Sequence, residues 1–376
     1  MAETGIIIDR AVLRHINVPM REPFRISNGV VSEKESIIVE LYSCNDVGYG
    51  EASPMSGSFY SSETPESTWA ALANDLIPNI LSQNISDPVS YAEHLNNYAK
   101  EPFARAGIEG AVWDLFSAKN GTTIRELLGA PSGKIASGLA VGIYDSIDEL
   151  LDRIARYLKD GYKRVKIKIA PGWDFEPLVE VRMRFGEKLP LMVDANGAYN
   201  FDEHFDLLCS LEEFGLMMIE QPFAADALEE SAELSHSIET PICLDESADS
   251  LTTLNKIIKQ HAAKILNIKV QRVGGLWNAK RMHDRAHEAG LKCWLGTMPE
   301  LGIASTQALA IATLPGFVFP TDIEASSRWF VDDIIDPPIT ITSKGFIDLP
   351  SNGSKHYSTN PEKLERYIIQ KKEFSR

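Results

Sequence analysis

Five acidic or basic residues follow one another at nearly equal steps through the middle of the chain. In order they are Lys168, Asp194, Glu220, Asp245 and Lys269, and the steps between them are 26, 26, 25 and 24 residues. Each residue ends a short strand-like segment. Short apolar runs of this kind are typical of buried β-strands. Such a step fits one strand, one helix and two short loops, so the spacing predicts a repeated βα unit.

The three middle members of this series are carboxylates. Carboxylates that converge at one place cannot all stay ionised without a compensating cation. Ligands that are all oxygen suit a hard ion such as Mg²⁺, with Mn²⁺ as an alternative occupant. The ion would bind a substrate carboxylate and stabilise the charge that appears when the adjacent carbon loses its proton. We therefore predict that Asp194, Glu220 and Asp245 are metal ligands.

The two outer members are lysines, and lysine acts as a base when like charge or burial lowers its pKa. Lys166 precedes Lys168 by two residues, and residues two apart on a strand share a face. Lys166 would thus supply the neighbouring positive charge. Asn267 and Lys269 share a face in the same way. We predict that Lys168 and Lys269 flank the carboxylates and address opposite faces of one carbon atom.

The elements that carry these residues repeat from residue 137 onward. A helix between the first two strands illustrates the pattern: Ser146 and Glu149 form a capping box, and Gly161 ends the unit. Eight strands predict a (β/α)8-type barrel, in which the carboxyl ends of the strands build the active site. The predicted strands span 137–143, 164–169, 190–194, 216–220, 242–245, 264–269, 291–295 and 317–322.

The chain before this repeat has a different pattern and is predicted to be a separate α+β region. Strands are expected at 6–18 and 36–42, with a polar loop over 21–32. A helix should begin at Thr64, its N-cap, with Pro65 in its first turn. The tail after residue 332 is expected to pack back on this region.

Composition limits the classes of partner. The 376 residues include 53 acidic and 37 basic side chains, a net charge of −16, which disfavours nucleic acid and anionic membrane surfaces. Four widely spaced cysteines indicate neither a disulfide framework nor a zinc site and fit a reducing cytoplasm. No signal peptide or membrane-spanning segment is predicted. The expected partner is a small anionic carboxylate substrate. A homo-oligomer is compatible with the sequence, which does not fix the oligomeric state.

Other candidates have simpler explanations. His283 and His287 lie four residues apart, but Asp284 between them is not the glutamate of a zinc-protease motif, so surface histidines are expected. Asp114 is expected to be a structural hydrogen-bonding carboxylate. Strand parity turns Glu246 away from Asp245, so a supporting role beside the metal ligands is predicted for it rather than ligation.

Short motifs around the five residues carry a resemblance to a known family. They are Lys166-Ile-Lys168, Asp194-Ala-Asn196, Glu220-Gln221-Pro222, Asp245-Glu246-Ser247 and Lys269. Together they resemble the enolase superfamily of the muconate-lactonising type. The runs over 165–174, 241–247 and 267–275 resemble its o-succinylbenzoate synthase / N-succinylamino acid racemase family, and the similarity extends over nearly the whole chain.

The resemblance implies a fold and a division into parts. The expected fold is α/β: a TIM-type (β/α)7β barrel with an α+β capping domain formed by the N-terminal region and the C-terminal tail. The expected boundaries are a capping domain over 1–130, a catalytic barrel over 131–325 and a C-terminal segment over 326–376 that packs back on the cap.

The resemblance also implies a reaction. The synthase carries out a Mg²⁺-dependent syn dehydration in menaquinone biosynthesis. Lys168 would remove the proton alpha to the substrate carboxylate and return it to the departing hydroxide, while Lys269 supports the enediolate and Lys166 assists. The alternative is the racemase, which uses both lysines as bases. A third hypothesis, a barrel that only binds an anion, is disfavoured because binding alone does not require two bases.

Substrate contacts are implied with several departures from the family pattern. Phe24 and Tyr60 match cap positions that close over the substrate, although simple cap packing explains them equally well. The motif matches add Asn196, Gly296 and Met298 as substrate-binding candidates. The departures, which border the expected succinyl-binding region, are Ala140 for a common serine, Val270-Gln271 for Pro-Gly, and Thr297 and Pro299 in the loop 296–302.

Overall fold

The structure is a computed structural model that describes residues 5–27, 29–56, 61–347 and 357–376. Its strands in chain order are β1 Ile6–Ile7, β2 Arg10–Ile26, β3 Gly29–Ser43, β4 Asp46–Ala52, β5 Asn84–Ile85, β6 Ile135–Ala136, β7 Leu139–Val141, β8 Val165–Lys168, β9 Leu191–Asp194, β10 Ile219–Glu220, β11 Ile242–Leu244, β12 Ile265–Ile268, β13 Lys292–Leu295, β14 Ile335–Asp336, β15 Phe346–Ile347, β16 Ser358–Thr359 and β17 Ile368–Ser375.

Helices cover the remaining regular structure. They are α1 Pro65–Ala71, α2 Ile77–Leu81, α3 Pro88–Tyr98, α4 Pro102–Asn120, α5 Ile124–Leu127, α6 Ile147–Leu158, α7 Phe175–Phe185, α8 Phe201–Ser210, α9 Leu228–Ser237, α10 Leu251–Gln260, α11 Val270–Val273, α12 Leu276–Glu288, α13 Gly302–Leu309, α14 Ser326–Trp329 and α15 Pro361–Arg366. A π-helical turn, Leu72–Leu76, joins α1 to α2, and a 3-10 turn, Leu211–Phe214, follows α8. Within the described ranges no helix combines the length and apolar character needed to cross a membrane.

The N-terminal region and the tail share one antiparallel sheet, which we call the cap sheet, with strand order β17-β2-β3-β4. The last strand lies along the first half of β2, from Arg10 to Ile16, so the tail packs back on this region. The loop predicted over 21–32 is wrong, because β2 runs to Ile26 and β3 begins at Gly29. Buried side chains from both strands, including Phe24 and Val31, pack on the barrel and favour the extended hairpin.

The barrel is confirmed. Seven parallel strands lie in the order β7 to β13, each hydrogen-bonded to the strand that follows it in the chain. The segment 317–322 closes the ring through parallel bridges from Thr321 to Ser137 and from Phe317 to Cys293. The expected (β/α)7β barrel with a capping domain is therefore the observed architecture.

The inside of the barrel is layered. Its lower layer is an apolar cluster of buried side chains, one each from β9 to β13 or the residue beside the strand. They are Met192, Met218, Cys243, Ile265 and Trp294. Since side chains two residues apart share a face, the residues two positions further along also point inward, at the carboxyl end. Asp194, Glu220 and Asp245 occupy that upper layer.

Helix α12 packs on the outside of the barrel, as predicted, but its two histidines differ. His287 is exposed. The prediction of a surface position is wrong for His283, which is buried, accepts a hydrogen bond from the backbone N–H of Gly316 and stacks on Phe317. Its role is to hold the loop that leads into the closing segment of the barrel.

Two buried glutamates join the cap to the barrel. Glu51, at the end of β4, accepts hydrogen bonds from the backbone N–H groups of Leu301 and Ala304 at the start of α13. Glu109 on α4 accepts one from the backbone N–H of Trp277 at the start of α12. The first N–H groups of a helix have no partner within the helix, and a carboxylate there also meets the positive end of the helix dipole. Both junctions therefore fix the cap against the barrel.

We expect Glu109→Ala to lower the free energy of unfolding by about 2–3 kcal/mol, because it leaves the N–H of Trp277 and the indole N–H of Trp113 without their buried acceptor. Chemical denaturation followed by circular dichroism measures the change. The control is Glu213→Ala, an exposed position where a change within about 0.5 kcal/mol is expected. Equal stabilities of the two variants would contradict this account of the junction.

Candidate active site

The five regularly spaced residues come together at the carboxyl ends of adjacent strands. Lys168 pairs with Asp194 across β8 and β9, and Asp194 pairs with Glu220 across β9 and β10. Asp245 and Lys269 follow directly after β11 and β12. The three carboxylates are fully buried, and the lysines are 6% and 5% exposed. The spacing in the sequence thus becomes an arc of charged groups around one end of the barrel.

Lys168 is oriented by two acceptors. Its Nζ lies 2.5 Å from Asp194 Oδ2 and donates to Asn196 Oδ1 at 2.8 Å. The backbone of Asn196 has a positive φ of 45°, which lets its N–H donate to Asp194 Oδ1. Its side-chain amide donates to Glu246 Oε1 at 2.9 Å. Asn196 and Glu246 therefore hold the Lys168 ammonium group against Asp194 rather than standing apart from the site.

Lys166 lies deeper, among three carboxylates. Its Nζ is 2.5 Å from Asp322 Oδ2 and 3.3 Å from oxygens of both Asp194 and Glu220, and it lies 4.8 Å from the centre of the Trp294 ring. Burial would lower the pKa of Lys166, but the three carboxylates outweigh it and raise the pKa well above its ordinary value. Lys166 is thus a permanent positive charge at the centre of the arc.

Asp245 is held between two cations. Lys269 Nζ lies 2.8 Å from Asp245 Oδ2. Arg272 Nη1 donates to the backbone carbonyl of Asp245 at 2.9 Å and also pairs with its Oδ1. Burial opposes ionisation, but Arg272 and then Lys269 overcome it and lower the pKa of Asp245 to about 2. The two cations thus keep this carboxylate ionised near neutral pH.

Glu220 has the opposite character. Burial, together with the neighbouring Asp194 and Asp245 carboxylates, raises its pKa well above the usual value, and Lys166 only partly offsets the effect. Asn267 Nδ2 donates to Glu220 Oε1 at 2.6 Å. Like charges so close together are the condition that a bound cation relieves.

The arc fits a divalent cation in two respects. Its donors are oxygens only, the set that hard ions prefer. Glu246 Oε2, beside the arc, is buried and has no hydrogen-bond partner within the described ranges. As arranged here, residues 5–27, 29–56, 61–347 and 357–376 contain no three His, Cys, Asp or Glu side chains grouped to enclose a metal. The three carboxylates of the arc instead face cations and amides of the chain. Binding would require the lysine ends to turn toward substrate.

A cleft opens between the arc and the cap. Its walls are mainly apolar, and all three lysines reach it. The residues that line the cleft are Phe24, Ile26, Met55, Ala140, Lys166, Lys168, Lys269, Thr297, Met298, Pro299, Asp322 and Trp329. Mainly apolar walls with a few convergent charged groups are typical of a small-molecule site.

The predicted substrate-binding residues divide into three groups. Phe24 and Met298 line the cleft, and the Phe24 ring packs edge-on against Trp329 with centroids 4.9 Å apart. Asn196 and Gly296 do not line it. Asn196 contacts Lys168, and Gly296 packs so closely on Asn267 that a Cβ would lie 2.2 Å from Asn267 Oδ1. Tyr60 lies outside the described residues.

Sequence reasoning missed Asp322, which pairs with Lys166 and Arg164. A signal for it existed. Asp322 ends the eighth predicted strand, as the other five residues end theirs, and it follows Lys269 by 53 residues, about two further repeats. Arg272 offered no comparable signal, because its contact with Asp245 depends on the short helix α11 that turns it back over the arc.

Comparisons with known proteins agree on a family. The chain matches the model of the mandelate racemase / muconate lactonizing enzyme N-terminal domain over residues 8–129 and that of the enolase C-terminal domain-like family over 149–353. It is 40% identical to the o-succinylbenzoate synthase of Geobacillus kaustophilus over 99% of both chains. It is 36% identical to the N-succinylamino acid racemase of an Amycolatopsis species over 96% of this chain and 97% of that one.

A crystal structure of an enolase-superfamily member from Listeria innocua superposes with a TM-score of 0.92 at 32% identity, covering 98% of this chain and 99% of the other. The cap sheet, the barrel and their arrangement therefore recur in a relative that shares a third of its residues.

Glu220→Gln should stabilise the metal-free protein at pH 8 by about 1 kcal/mol or more, since it removes a buried carboxylate whose pKa is raised, while Lys166 keeps Asp322 and Asp194 as partners. The pKa of Glu220 is raised in the folded state, so this group lowers stability at high pH. The cost is absent below the ordinary pKa near 4.5, grows as pH rises above that value and is complete above the folded-state pKa. The advantage of the variant should shrink as pH falls from 8 to 5. Urea unfolding in EDTA measures it, and an advantage that grows toward pH 5 would refute the assignment.

Proposed function

The chain belongs to the enolase superfamily, as the family models and whole-length relatives show, and from that premise we propose that it is an o-succinylbenzoate synthase. Relatives at 40%, 39% and 36% identity over at least 96% of the chain carry that name. The proposed substrate is a succinyl-hydroxycyclohexadiene carboxylate, which loses water to become aromatic. One observation supports this reaction above all: two buried lysines stand on either side of an arc of three carboxylates.

We propose that Asp194, Glu220 and Asp245 hold Mg²⁺, the ion with which superfamily sites pair a lysine or histidine base. When bound, Mg²⁺ supplies the positive charge that stabilises the second negative charge on the substrate carboxylate. Mn²⁺ is the expected substitute. The charges already present support the assignment. Around Glu220, the lysines only partly offset the negative charge of the neighbouring carboxylates, and the pKa of Glu220 is raised as a result.

Lys168 is the proposed base. The C–H bond next to the carboxylate breaks, the electron pair moves into the carboxylate to give the enediolate, and Lys168 Nζ takes the proton. The C–O bond of the hydroxyl group then breaks on the same face, and the departing hydroxide takes that proton and leaves as water. Asn196 supports the cycle by holding the same nitrogen in both protonation states.

Lys269 is proposed to act through its charge. It lies on the far side of the arc, against Asp245, and remains protonated while the enediolate forms. Lys166, fixed by Asp322, adds a second positive charge beneath the carboxylates. The apolar wall made by Phe24, Met55 and Trp329 suits the ring of the substrate.

The second candidate is N-succinylamino acid racemase, alone or alongside the synthase. Relatives at 36% and 34% identity carry that name. The geometry also favours it, because a base on each face of one carbon is what inversion at that carbon requires. The third hypothesis, a barrel that only binds an anion, does not suit a chain that belongs to an enzyme superfamily.

The setting follows from the reaction. A synthase of this kind would act in menaquinone biosynthesis, in the cytoplasm, on a small dianionic acid. The four cysteines, all in described residues, are free thiols, which is compatible with a reducing compartment.

Lysine variants test the proposal with purified protein and Mg²⁺. Lys168→Ala should lower the rate of aromatic product formation by roughly 10²–10⁴-fold, the usual contribution of a positioned base. Absorbance of the product gives the rate, and circular dichroism confirms folding. Undiminished turnover by Lys168→Ala would refute the assignment of the base.

Lys269→Arg separates the two reactions, because arginine keeps the charge but cannot serve as a base. A synthase should tolerate Lys269→Arg much better than Lys269→Ala. A racemase should lose exchange of the α-proton with deuterated solvent for one enantiomer of an N-succinylamino acid, and proton NMR measures that loss. Dehydration that falls equally in both variants would contradict a purely electrostatic role for Lys269.

A further inference from the structure

A buried glutamine two residues after Lys269 connects the catalytic arc to the cap. Gln271, which is 3% exposed, lies on α11. Its Nε2 donates to the backbone carbonyl of Glu51 at 2.9 Å, and its Oε1 accepts from the backbone N–H of Ser53 at 2.9 Å. The amide thus meets two backbone groups of one cap strand, as a neighbouring strand would.

The backbone that Gln271 holds leads straight into the wall of the cleft. Met55 follows Ser53 by two residues and faces the lysines across the cleft. The same segment is held from a second side by Lys34, a buried lysine on β3 whose Nζ donates to the carbonyls of Ser53 and Pro54 at 3.1 and 3.3 Å. The backbone N–H of Ser53 therefore donates to Gln271, and its carbonyl accepts from Lys34.

The charges around Lys34 agree with a fixed segment. Burial lowers the pKa of Lys34 to about 8, although Glu51, Glu300 and Glu35 oppose the change. Glu51, in turn, caps α13. The end of β4 is consequently joined to two barrel elements, α11 through Gln271 and α13 through Glu51.

We propose that Gln271 is a positioning residue of the substrate cleft: it fixes the segment 51–55 to helix α11, which directly follows Lys269, and so sets how far Met55 stands from the reacting carbon. The residue touches neither substrate nor the arc, and it acts through Ser53. Its loss should loosen one wall of the cleft and weaken the binding of substrate, while the lysines remain in place. The effect on substrate binding rests on the proposed function, but the effect on the segment itself does not.

A second glutamine provides a matched control. Gln307 on α13 is 5% exposed, and its Nε2 donates to the backbone carbonyls of Tyr49 and Gly110 at 2.7 and 3.2 Å. Like Gln271, it joins the barrel to the cap through two hydrogen bonds to cap backbone. It does not line the cleft, and its partner on β4, Tyr49, lies six residues before Met55 rather than two. Both glutamines change to methionine with little change in volume and complete loss of the hydrogen bonds.

The first experiment needs no substrate. Hydrogen–deuterium exchange should show faster exchange of peptides that cover 51–55 in Gln271→Met than in the parent, since the N–H of Ser53 has lost its acceptor. In Gln307→Met these peptides should exchange at the parental rate. Thermal unfolding of both variants shows whether each folds. Parental exchange over 51–55 in a folded Gln271→Met protein would overturn the proposal.

The second experiment uses turnover of the proposed dehydration substrate with Mg²⁺. Gln271→Met should raise KM roughly tenfold, the change expected for the loss of one to two hydrogen bonds, with kcat within about a factor of two. Gln307→Met should keep both constants. An equal rise in KM for both variants, or a fall in kcat alone for Gln271→Met, would overturn the positioning role. If the parent turns over neither substrate, the proposed function fails and the exchange experiment still decides the role of Gln271.

Discussion

Neutralisation of charge inside the barrel is the constraint on which the rest of the structure depends. Five acidic and five basic side chains meet inside it. They are Asp194, Glu220, Asp245, Glu246 and Asp322, and Arg164, Lys166, Lys168, Lys269 and Arg272. An isolated buried ion costs several kcal/mol, whereas paired and hydrogen-bonded ions approach balance. With all ten groups ionised the sum is zero, and the raised pKa of Glu220 marks the carboxylate whose charge a divalent cation would balance if it entered together with a dianionic substrate. Both proposed substrates, with two carboxylates each, meet that condition.

The lower half of the barrel makes this arrangement possible. The apolar layer lies beneath the arc, and the ring of Trp294, one of its members, contacts both Lys166 and Arg164 of the charged layer. A cation over an aromatic face is stabilised without a counter-ion at that point. Side chains alternate in direction along each strand, so one inward residue packs in the apolar layer and the next inward residue lies in the charged layer. Each layer therefore takes about one residue from a strand.

Much of this could be predicted because it depends on local periodicity. The steps from Lys168 to Lys269 and the parity of each strand gave the barrel and the arc without knowledge of distant contacts. The features that were missed depend on contacts across the fold. The hairpin β2–β3 extends because Phe24 and Val31 pack on the barrel, His283 is buried by the loop at Gly316, and Arg272 reaches Asp245 through a helix of four residues. The domain boundaries at 130 and 325 and the roles of individual site residues stay predictions.

The βα repeat predicts the catalytic arc but not the choice of substrate, because the part of the cleft that faces the arc is built from other segments. The arc comes entirely from the barrel, but the opposing wall of the cleft combines β2, the end of β4 and the loop before α13, three segments far apart in the sequence. Their relative position is set by buried polar contacts such as those of Glu51, Gln271 and Lys34, each of which joins different elements. A change at one contact can move an apolar wall while the charge balance of the arc stays intact. An arrangement of this kind separates the chemistry of the arc from the shape of the cleft, in a family whose relatives carry the names of two different reactions.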